Sequence, residues 1–155
     1  MKFIIQRVTS ASVEVDKKIV GKIGKGFLVL IGVGKEDNEE IADKMVKKLI
    51  GMRIFEDENG KTNLSLNDVS GELLLISQFT LYADCKKGNR PSFINAGSPD
   101  EANKLYEYII SECKKEINVV EKGVFGADMR TEMSTNGPVT IVMNSKVLYT
   151  KNNWY

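Results

Sequence analysis

The stretch Glu72-Leu73-Leu74-Leu75-Ile76-Ser77-Gln78-Phe79-Thr80-Leu81, residues 72–81, has the strongest β-strand character in the chain. Side chains alternate across a strand, so the odd-numbered residues from 73 to 79 share one face and the even-numbered residues from 74 to 80 share the other. The first half is aliphatic on both faces, which is typical of a strand buried on both sides. The second half is polar, and an unpartnered polar group buried there would cost roughly a few kcal/mol. We therefore expect residues 77–80 to have partners or a ligand, unless the strand simply leaves the core at this point.

Upstream of this segment, the sequence predicts mostly β-structure followed by one helix. The predicted strands cover residues 2–8, 11–15, 19–23 and 27–33, with a turn at 16–18. Asp37 is the predicted helix cap, because Glu40 follows three residues later and an apolar stripe begins at Ile41. This helix should end at Gly51. A short strand at 53–55 and turns at 57–60 and 67–71 then lead to the segment at 72–81.

Downstream, a polar loop at 84–97 precedes a second helix. Ser98-Pro99-Asp100-Glu101 predicts the start of that helix, with serine as the cap and proline in the first turn. Its apolar stripe runs from Ala102 to Cys113, and two lysines suit its carboxyl end. Strands are predicted at 119–125 and 139–148. Because strands cluster and no regular β-α alternation appears, we predict one α+β domain over residues 1–155, with a mainly antiparallel, barrel-like sheet and two main helices.

Charge and hydropathy limit where the protein acts. The 155 residues include 22 basic and 21 acidic side chains, so a net charge of +1 provides no long-range attraction to nucleic acid or to anionic membranes. Any contact with RNA must come from a local patch. The amino terminus lacks a signal-peptide pattern, and no apolar run approaches ~18 residues. We therefore expect a cytoplasmic protein without a membrane partner.

The absence of histidine restricts the chemistry. With no histidine and two cysteines, the sequence has too few ligands for a Cys/His zinc site, and we expect neither metal nor cofactor. It also excludes Ser-His-Asp and Cys-His nucleophiles, so any reaction needs another base. The glycines of Gly32-Val33-Gly34-Lys35 do not fit a phosphate-binding loop and predict the end of a strand and a turn.

A second polar segment, Asn136-Gly137-Pro138-Val139-Thr140, is explained by turn chemistry when it is taken alone. Together, however, it and Ser77-Gln78-Phe79-Thr80 resemble the two signatures of the D-aminoacyl-tRNA deacylase family, Ser-Gln-x-Thr and Asn-x-Gly-Pro-Val-Thr. The resemblance extends along the whole chain, through the segments at 5–8, 87–93, 98–99 and 125–129. One departure is Thr135, which stands where the second signature begins with asparagine.

This resemblance implies a deacylase-like fold and hydrolysis of the ester that joins a D-amino acid to tRNA. Ser77, Gln78, Phe79 and Thr80 would then form the catalytic pocket beside the terminal adenosine of the tRNA. We expect Thr80 to position the substrate, because no histidine is present to activate its hydroxyl. The aminoacyl ester is already activated, and a neighbouring ribose hydroxyl can help to orient water.

The resemblance also implies a homodimer with its active site at the subunit interface. A cis Gly137-Pro138 peptide from one subunit would enter the pocket of the other, held by Arg7 and supplemented by Met129. Such a backbone wall would reject an L side chain by collision, so selectivity would come from exclusion. Glycine has no side chain, so glycyl-tRNA would be accepted as well.

Contact with tRNA at its acceptor end is expected from the loop that carries Lys86, Lys87 and Arg90, which can meet phosphates without reading sequence. Two alternatives remain open. A non-catalytic RNA-binding domain would need exposed stacking aromatics and a basic excess, whereas only 8% of the chain is aromatic. A threonine-dependent esterase for small molecules would lose all activity in Thr80→Ala and would not need RNA.

Overall fold

A computed structural model describes residues 1–149, which contain eight strands, three α-helices and one 3-10 helix. The six strands of the main sheet are β1 Lys2–Val15, β2 Lys18–Ile23, β3 Gly26–Gly32, β6 Glu72–Ser77, β7 Val120–Lys122 and β8 Arg130–Asn144. A separate hairpin consists of β4 Phe55–Glu56 and β5 Thr62–Leu64. The helices are α1 Glu39–Gly51, α2 Pro99–Lys114, α3 Ser145–Tyr149 and the 3-10 helix Phe79–Tyr82. None of the helices within residues 1–149 is long and apolar enough to cross a membrane.

The main sheet is mixed. Strand β1 pairs antiparallel with β2, β3 and β8, whereas β3, β6 and β7 run parallel to one another. Parallel neighbours require a crossover connection. The chain between β3 and β6 contains α1, and the chain between β6 and β7 contains α2. The predicted α+β class is confirmed, and the two main helices of the prediction are the two crossovers.

The sheet curls until its two ends almost meet. A side-chain carbon built on Gly21 of β2 would lie 2.9 Å from the carbonyl oxygen of Lys122 on β7. Glycine at this position therefore lets β2 approach β7 more closely than any other residue would. The sheet is nearly closed and barrel-like, as predicted.

The two faces of the sheet bury different clusters, as the alternation in β6 predicts. Leu73 and Leu75 belong to the main core, which α1 and α2 cover with Met45, Leu49, Tyr106 and Ile109. Leu74 and Ile76 belong to a smaller cluster on the concave side, together with Leu28 of β3. Each fully buried aliphatic side chain stabilises the fold by about 1.5–3 kcal/mol. Burial on both faces explains why β3 and β6 are almost continuously apolar.

The strand predicted at 72–81 is too long, because β6 ends at Ser77. The amide of Gln78 still donates to the carbonyl of Ile31 at 2.8 Å, after which the chain turns into the 3-10 helix. Gly32 permits this turn. A side-chain carbon there would lie 2.9 Å from Cβ of Leu81, so the 3-10 helix packs directly on the end of β3. Residues 77–80, three of which are polar, thus lie where the chain leaves the core.

The predicted cap of α1 is also wrong. Asn38 caps the helix, with its Oδ1 accepting from the amide of Ile41 at 3.0 Å. The Asp37 carboxylate is engaged elsewhere, because it accepts from the Met1 ammonium and from the Gly34 amide, each at 2.6 Å. Ser98 does precede Pro99 at the start of α2 as predicted, although its side chain makes no capping bond.

Several predicted strand boundaries differ from the structure. Strand β1 is continuous, although two strands at 2–8 and 11–15 were expected, and β4 and β7 are shorter than or shifted from the predictions at 53–55 and 119–125. The strand predicted at 139–148 instead begins at Arg130 and ends at Asn144. There Oδ1 of Asn144 accepts from the Lys146 amide at 3.0 Å and starts α3.

The segment Asn136-Gly137-Pro138 lies inside β8 rather than in a turn between elements. Along β1 and β8, the pairing passes from Gln6 with Thr140 to Val8 with Thr135. Residues 136–139 therefore bulge out of the strand opposite Arg7, the single β1 residue between those pairs. Bulges of this kind re-aim the backbone of an edge strand.

Candidate active site

A cavity of about 640 Å³ lies at the carboxyl ends of the parallel strands β3 and β6. Because parallel neighbours end at the same edge of a sheet, Ile31 and Ser77 both reach it. The loop before α2 and the first turn of that helix contribute a third part of the wall, between Phe93 and Ala102, and the segment from Phe125 to Thr131 contributes the fourth. The fold thus brings together four stretches that are far apart in the sequence.

Four of the predicted site residues line this cavity: Ser77, Gln78, Phe79 and Met129. Thr80 is adjacent, because Nε2 of Gln78 donates a hydrogen bond to its Oγ1. The Phe79 and Thr80 side chains are exposed, while those of Ser77 and Gln78 are half-buried. The end of β6 therefore presents an amide and two hydroxyl groups at the mouth of the cavity.

Aromatic rings form part of the rim. The rings of Phe79 and Phe93 meet edge to face with their centroids 5.1 Å apart, and the two side chains remain 56% and 37% exposed. Phe125 lines the same cavity. Neither Phe93 nor Phe125 is among the site residues predicted from the sequence. Both lie in segments that carry the family resemblance, which was the available signal.

The cavity wall carries no charge among the described residues that form it. Its polar side chains are Ser77, Gln78 and Thr131. No lining group can act as a strong base. Burial raises the pKa of the Cys113 thiol to about 12, so this cysteine stays protonated in the main core. Within residues 1–149, no cluster of three or more cysteine or carboxylate side chains could hold a metal ion.

A buried network supports the 3-10 helix from below. The Tyr82 hydroxyl donates to Oδ2 of Asp37 at 3.4 Å, and Oδ1 of the same carboxylate accepts from the Met1 ammonium. Burial and the nearby carboxylate raise the pKa of Tyr82, so its hydroxyl keeps the proton that it donates. Ser145 also accepts from Met1, at 2.8 Å. The last residue of the 3-10 helix is thereby tied to the amino terminus and to α3.

Gly34 is required for this support, because a side-chain carbon there would lie 2.8 Å from three atoms of the Tyr82 ring and hydroxyl. We expect Gly34→Ala to displace Tyr82, to lower the free energy of unfolding by about 1–3 kcal/mol and to reduce activity. Gly51→Ala is the matched control, since nothing lies within 4 Å of its added carbon. Thermal denaturation and an activity assay measure both variants. Equal behaviour of the two would contradict a supporting role for Gly34.

Gly137 and Pro138 do not reach this cavity within the same chain. Their peptide is cis, as the resemblance implied, and Gly137 has a φ of +130°, which L side chains rarely adopt. Both residues are exposed on the bulge of β8. Thr131 lines the cavity, and Gly137 lies six positions further along the strand, a span of about 20 Å.

Arg7 holds the bulge in place although its side chain has no carboxylate partner among the described residues. It is only 5% exposed. Its Nε donates to the carbonyl of Asn136 at 3.1 Å, and its Nη1 donates to the carbonyl of Ile54 at 2.5 Å. Nη2 lies 3.5 Å from Oδ1 of Asn136. The guanidinium thus fixes the residue immediately before Gly137.

Lys86, Lys87 and Arg90 lie on an exposed loop outside the cavity. Backbone hydrogen bonds between Asp84 and Ser92, at 2.7 and 2.9 Å, close the base of this loop. Phe93 follows directly and reaches the cavity rim. The loop therefore lies beside the entrance without contributing to the wall.

Comparison with known proteins identifies the class to which this fold and cavity belong. Residues 4–144 match the family described as D-Tyr-tRNA(Tyr) deacylase. A D-aminoacyl-tRNA deacylase of Clostridium novyi is 56% identical over 146 residues, covering 94% of this chain and 98% of the relative. The corresponding protein of Thermosipho melanesiensis is 51% identical over 150 residues, covering 96% and 100%. The chain therefore belongs to the D-Tyr-tRNA(Tyr) deacylase family, a family of hydrolases.

Solved structures share the architecture. A structure described as c-Myc DNA Unwinding Element Binding Protein is 38% identical and superposes with a TM-score of 0.88 over 93% of this chain and 98% of its own. A probable eukaryotic D-amino acid tRNA deacylase is 17% identical and has a TM-score of 0.83, over 92% and 97%. The latter likeness concerns the fold alone.

Proposed function

We propose that this protein is a D-aminoacyl-tRNA deacylase that hydrolyses the ester between a D-amino acid and the terminal ribose of tRNA, releasing both. The observation that carries the proposal is the uncharged cavity whose mouth holds Ser77, Gln78 and Thr80, in a chain more than half identical to proteins of that name. Deacylation would clear D-amino acids before they reach the ribosome. The free thiols of Cys85 and Cys113 suit a reducing compartment such as the cytoplasm.

The cavity suits an aminoacylated adenosine. The exposed rings of Phe79 and Phe93 at the rim offer faces and edges on which the terminal base can stack. The Gln78 amide and the Thr80 hydroxyl can then hold the ester at the end of β6. Most of the RNA would stay outside, which agrees with a chain of small net charge.

Catalysis would rest on placement rather than on a strong side-chain base. An aminoacyl ester is already activated, and the neighbouring ribose hydroxyl of the tRNA can orient the attacking water. Holding water and ester in register removes much of the entropic barrier. Polar groups aimed at the developing oxyanion stabilise it more in a site that excludes bulk water. Thr80 therefore acts as a positioning residue in this proposal.

The discrimination between D and L substrates would come from a second copy of the chain. Within residues 1–149, strand β8 pairs with β1 on one edge and with no strand on the other, and its Met133 and Val142 side chains are 46% and 68% exposed. A long open edge of this kind favours association. Because Gly137 and Pro138 lie about 20 Å along the strand from the cavity of their own chain, they would enter the cavity of the partner.

The inserted Gly137-Pro138 backbone would form a wall against the α-carbon of the substrate. Arg7 would keep that wall in position through Asn136, and Met129 would complete it from the cavity side. A rigid backbone excludes an L side chain by collision and leaves room for a D side chain. Glycine would also pass, so glycyl-tRNA is a second substrate in this proposal. Lys86, Lys87 and Arg90 would meet phosphates near the entrance.

The direct test is hydrolysis of D-Tyr-tRNA and L-Tyr-tRNA by the purified protein, with a chelator present. We expect rapid cleavage of the D ester and about 100-fold slower cleavage of the L ester, the effect of a steric wall of roughly 3 kcal/mol. Glycyl-tRNA should be cleaved as well. Binding without cleavage of any ester would instead favour the non-catalytic RNA-binding alternative. Equal cleavage of the D and L esters would contradict the proposed role of Gly137-Pro138 in excluding L substrates.

Thr80→Ala separates the proposed mechanism from that of a threonine-dependent esterase. If Thr80 only positions the substrate, the variant should retain about 1–10% of the activity on D-Tyr-tRNA, since one hydrogen bond is lost. A threonine nucleophile would leave none, and the wild type would also cleave small esters that lack RNA. Thr62→Ala, at an exposed position on β5, is the control for the substitution itself.

A further inference from the structure

A basic cleft lies on the outer side of α1, apart from the cavity. It measures about 590 Å³, and four cationic side chains line it, from Lys44, Lys47, Lys48 and Arg53. Tyr149 of α3 closes one side, where its hydroxyl donates to the Lys44 carbonyl at 3.0 Å and its ring centroid lies 5.4 Å from the Lys44 ammonium. Among the described residues that line the cleft, none carries a carboxylate.

The charge of this cleft is largely uncompensated. Lys47 and Lys48 have no hydrogen bond or ion pair within residues 1–149. Arg53 donates hydrogen bonds to the neutral Asn63, and its charge also attracts the Asp68 carboxylate outside the cleft. Lys44 pairs with Glu40 at 3.0 Å, but that pair is exposed and weak. A chain with a net charge of only +1 thus concentrates four positive charges in one concave site.

A row of lysines on the outer face of a helix usually faces water and binds no ligand. Here two further segments make the row concave, because Arg53 follows α1 and Tyr149 comes from the other end of the chain. Lysines three and four residues apart on a helix lie about 5–6 Å from each other, close enough to act on one polyanion. A concave site with a clear excess of positive charge fits a phosphodiester backbone by charge complementarity.

The cleft is also connected to the Gly137-Pro138 bulge. Arg53 precedes Ile54, whose carbonyl accepts from Arg7 at 2.5 Å, and Arg7 in turn binds the carbonyl of Asn136. Only Ile54 and the Arg7 side chain thus connect Arg53 of the cleft to the residue before Gly137. In the dimer proposed above, both would flank the cavity of the partner.

We propose that this cleft binds the phosphodiester backbone of the tRNA whose acceptor end occupies the cavity of the partner subunit. The proposal rests on the proposed function. One subunit would then supply both the wall and the electrostatic contact for the active site of the other. Such contacts bind phosphates without reading the base sequence, so they would serve every tRNA alike.

The test compares Lys47→Gln/Lys48→Gln with the wild type. Glutamine preserves helix propensity, and both side chains are exposed, so the fold should be retained. For D-Tyr-tRNA we expect KM to rise about tenfold with kcat unchanged, because two phosphate contacts are lost. The slope of the logarithm of the tRNA binding constant against the logarithm of the salt concentration should become shallower by about two. Cleavage of D-tyrosyl-adenosine, which has no phosphate backbone, should not change.

Lys22→Gln/Lys114→Gln is the control, since both of its lysines are exposed and unpaired within residues 1–149 and lie outside the cleft. An unchanged KM in the cleft variant, or an equal rise in the control, would overturn the proposal. Titration of both variants with uncharged tRNA tests the cleft independently of cleavage. If the wild type cleaves no ester, the proposed function fails, while this titration still decides whether the cleft binds RNA.

Discussion

Arg7→Met should lower the rate of D-Tyr-tRNA hydrolysis by about 100-fold, because a displacement of about 1 Å at a site of this kind costs that much. The substitution removes both guanidinium bonds to the carbonyls of Asn136 and Ile54. Each carbonyl left without a donor costs about 1–3 kcal/mol, which favours rearrangement of the bulge. Rejection of L-Tyr-tRNA should weaken at the same time, since the proposed Gly137-Pro138 wall would lose its support.

The control is Arg130→Met, which makes the same substitution and also removes one positive charge, but at an exposed position on β8. Arg130 is 73% exposed and, among residues 1–149, forms its ion pair with Glu132 alone, so its loss should change little. Arg7→Lys should restore part of the activity, because one ammonium can reach only one of the two carbonyls. Rates with the D and L esters and thermal denaturation are measured for all three. A folded Arg7→Met variant with unchanged rate and selectivity would rule out a positioning role for Arg7.

Asp37→Asn should lower the free energy of unfolding by about 3–5 kcal/mol, the cost of leaving a buried charge without its partner. The Met1 ammonium and the Asp37 carboxylate are 2.6 Å apart, and their side chains are 0% and 6% exposed. Glu40→Gln is the control, because its pair with Lys44 is exposed and contributes at most about 1 kcal/mol. Chemical denaturation of both variants measures the difference. Similar losses would contradict the importance of the buried pair.

The pH dependence gives a second test of that pair. Burial lowers the pKa of the Met1 ammonium below its ordinary value of 8.0, while the hydrogen bond and charge of Asp37 oppose this. Just below pH 8.0 the unfolded chain thus binds more protons at this amine than the folded chain, so stability rises with pH through this window. Asp37→Asn removes the opposing contributions, and the rise should become steeper. A flatter pH profile in the variant would exclude this assignment.

Asp37 illustrates a feature that no local pattern revealed. Its spacing to Glu40 indicated a helix cap, but the tertiary fold places it against an amino terminus 36 residues away. Leaving this buried carboxylate without partners would cost about 3–5 kcal/mol, more than the roughly 1 kcal/mol of a helix cap, so its acceptors must be filled by buried donors. The Gly34 amide fills one of them. Asn38, one residue later, caps α1 instead, and asparagine is as favourable as aspartate at a helix cap.

The polar end of β6 shows what the alternation of side chains along a strand can predict and what it cannot. The pattern correctly assigned Leu73 to Ile76 to two buried faces, because both faces of this strand are covered. It could not locate the end of the strand. That end depends on Gly32 and Gly34 of the neighbouring segment, which leave space for Leu81 and Tyr82.

The sequence by itself determined the α+β class, the two crossover helices, the start of α2 and the family, because these depend on local periodicity, capping residues and motif order. It also supplied Ser77, Gln78 and Phe79, which line the cavity together. Only the tertiary structure decided the parallel pairing of β3, β6 and β7, the bulge at Asn136, and the separation of Gly137-Pro138 from the cavity of its own chain. These features depend on contacts between residues far apart in the chain, and the periodicity of a single segment carries no information about its distant partners.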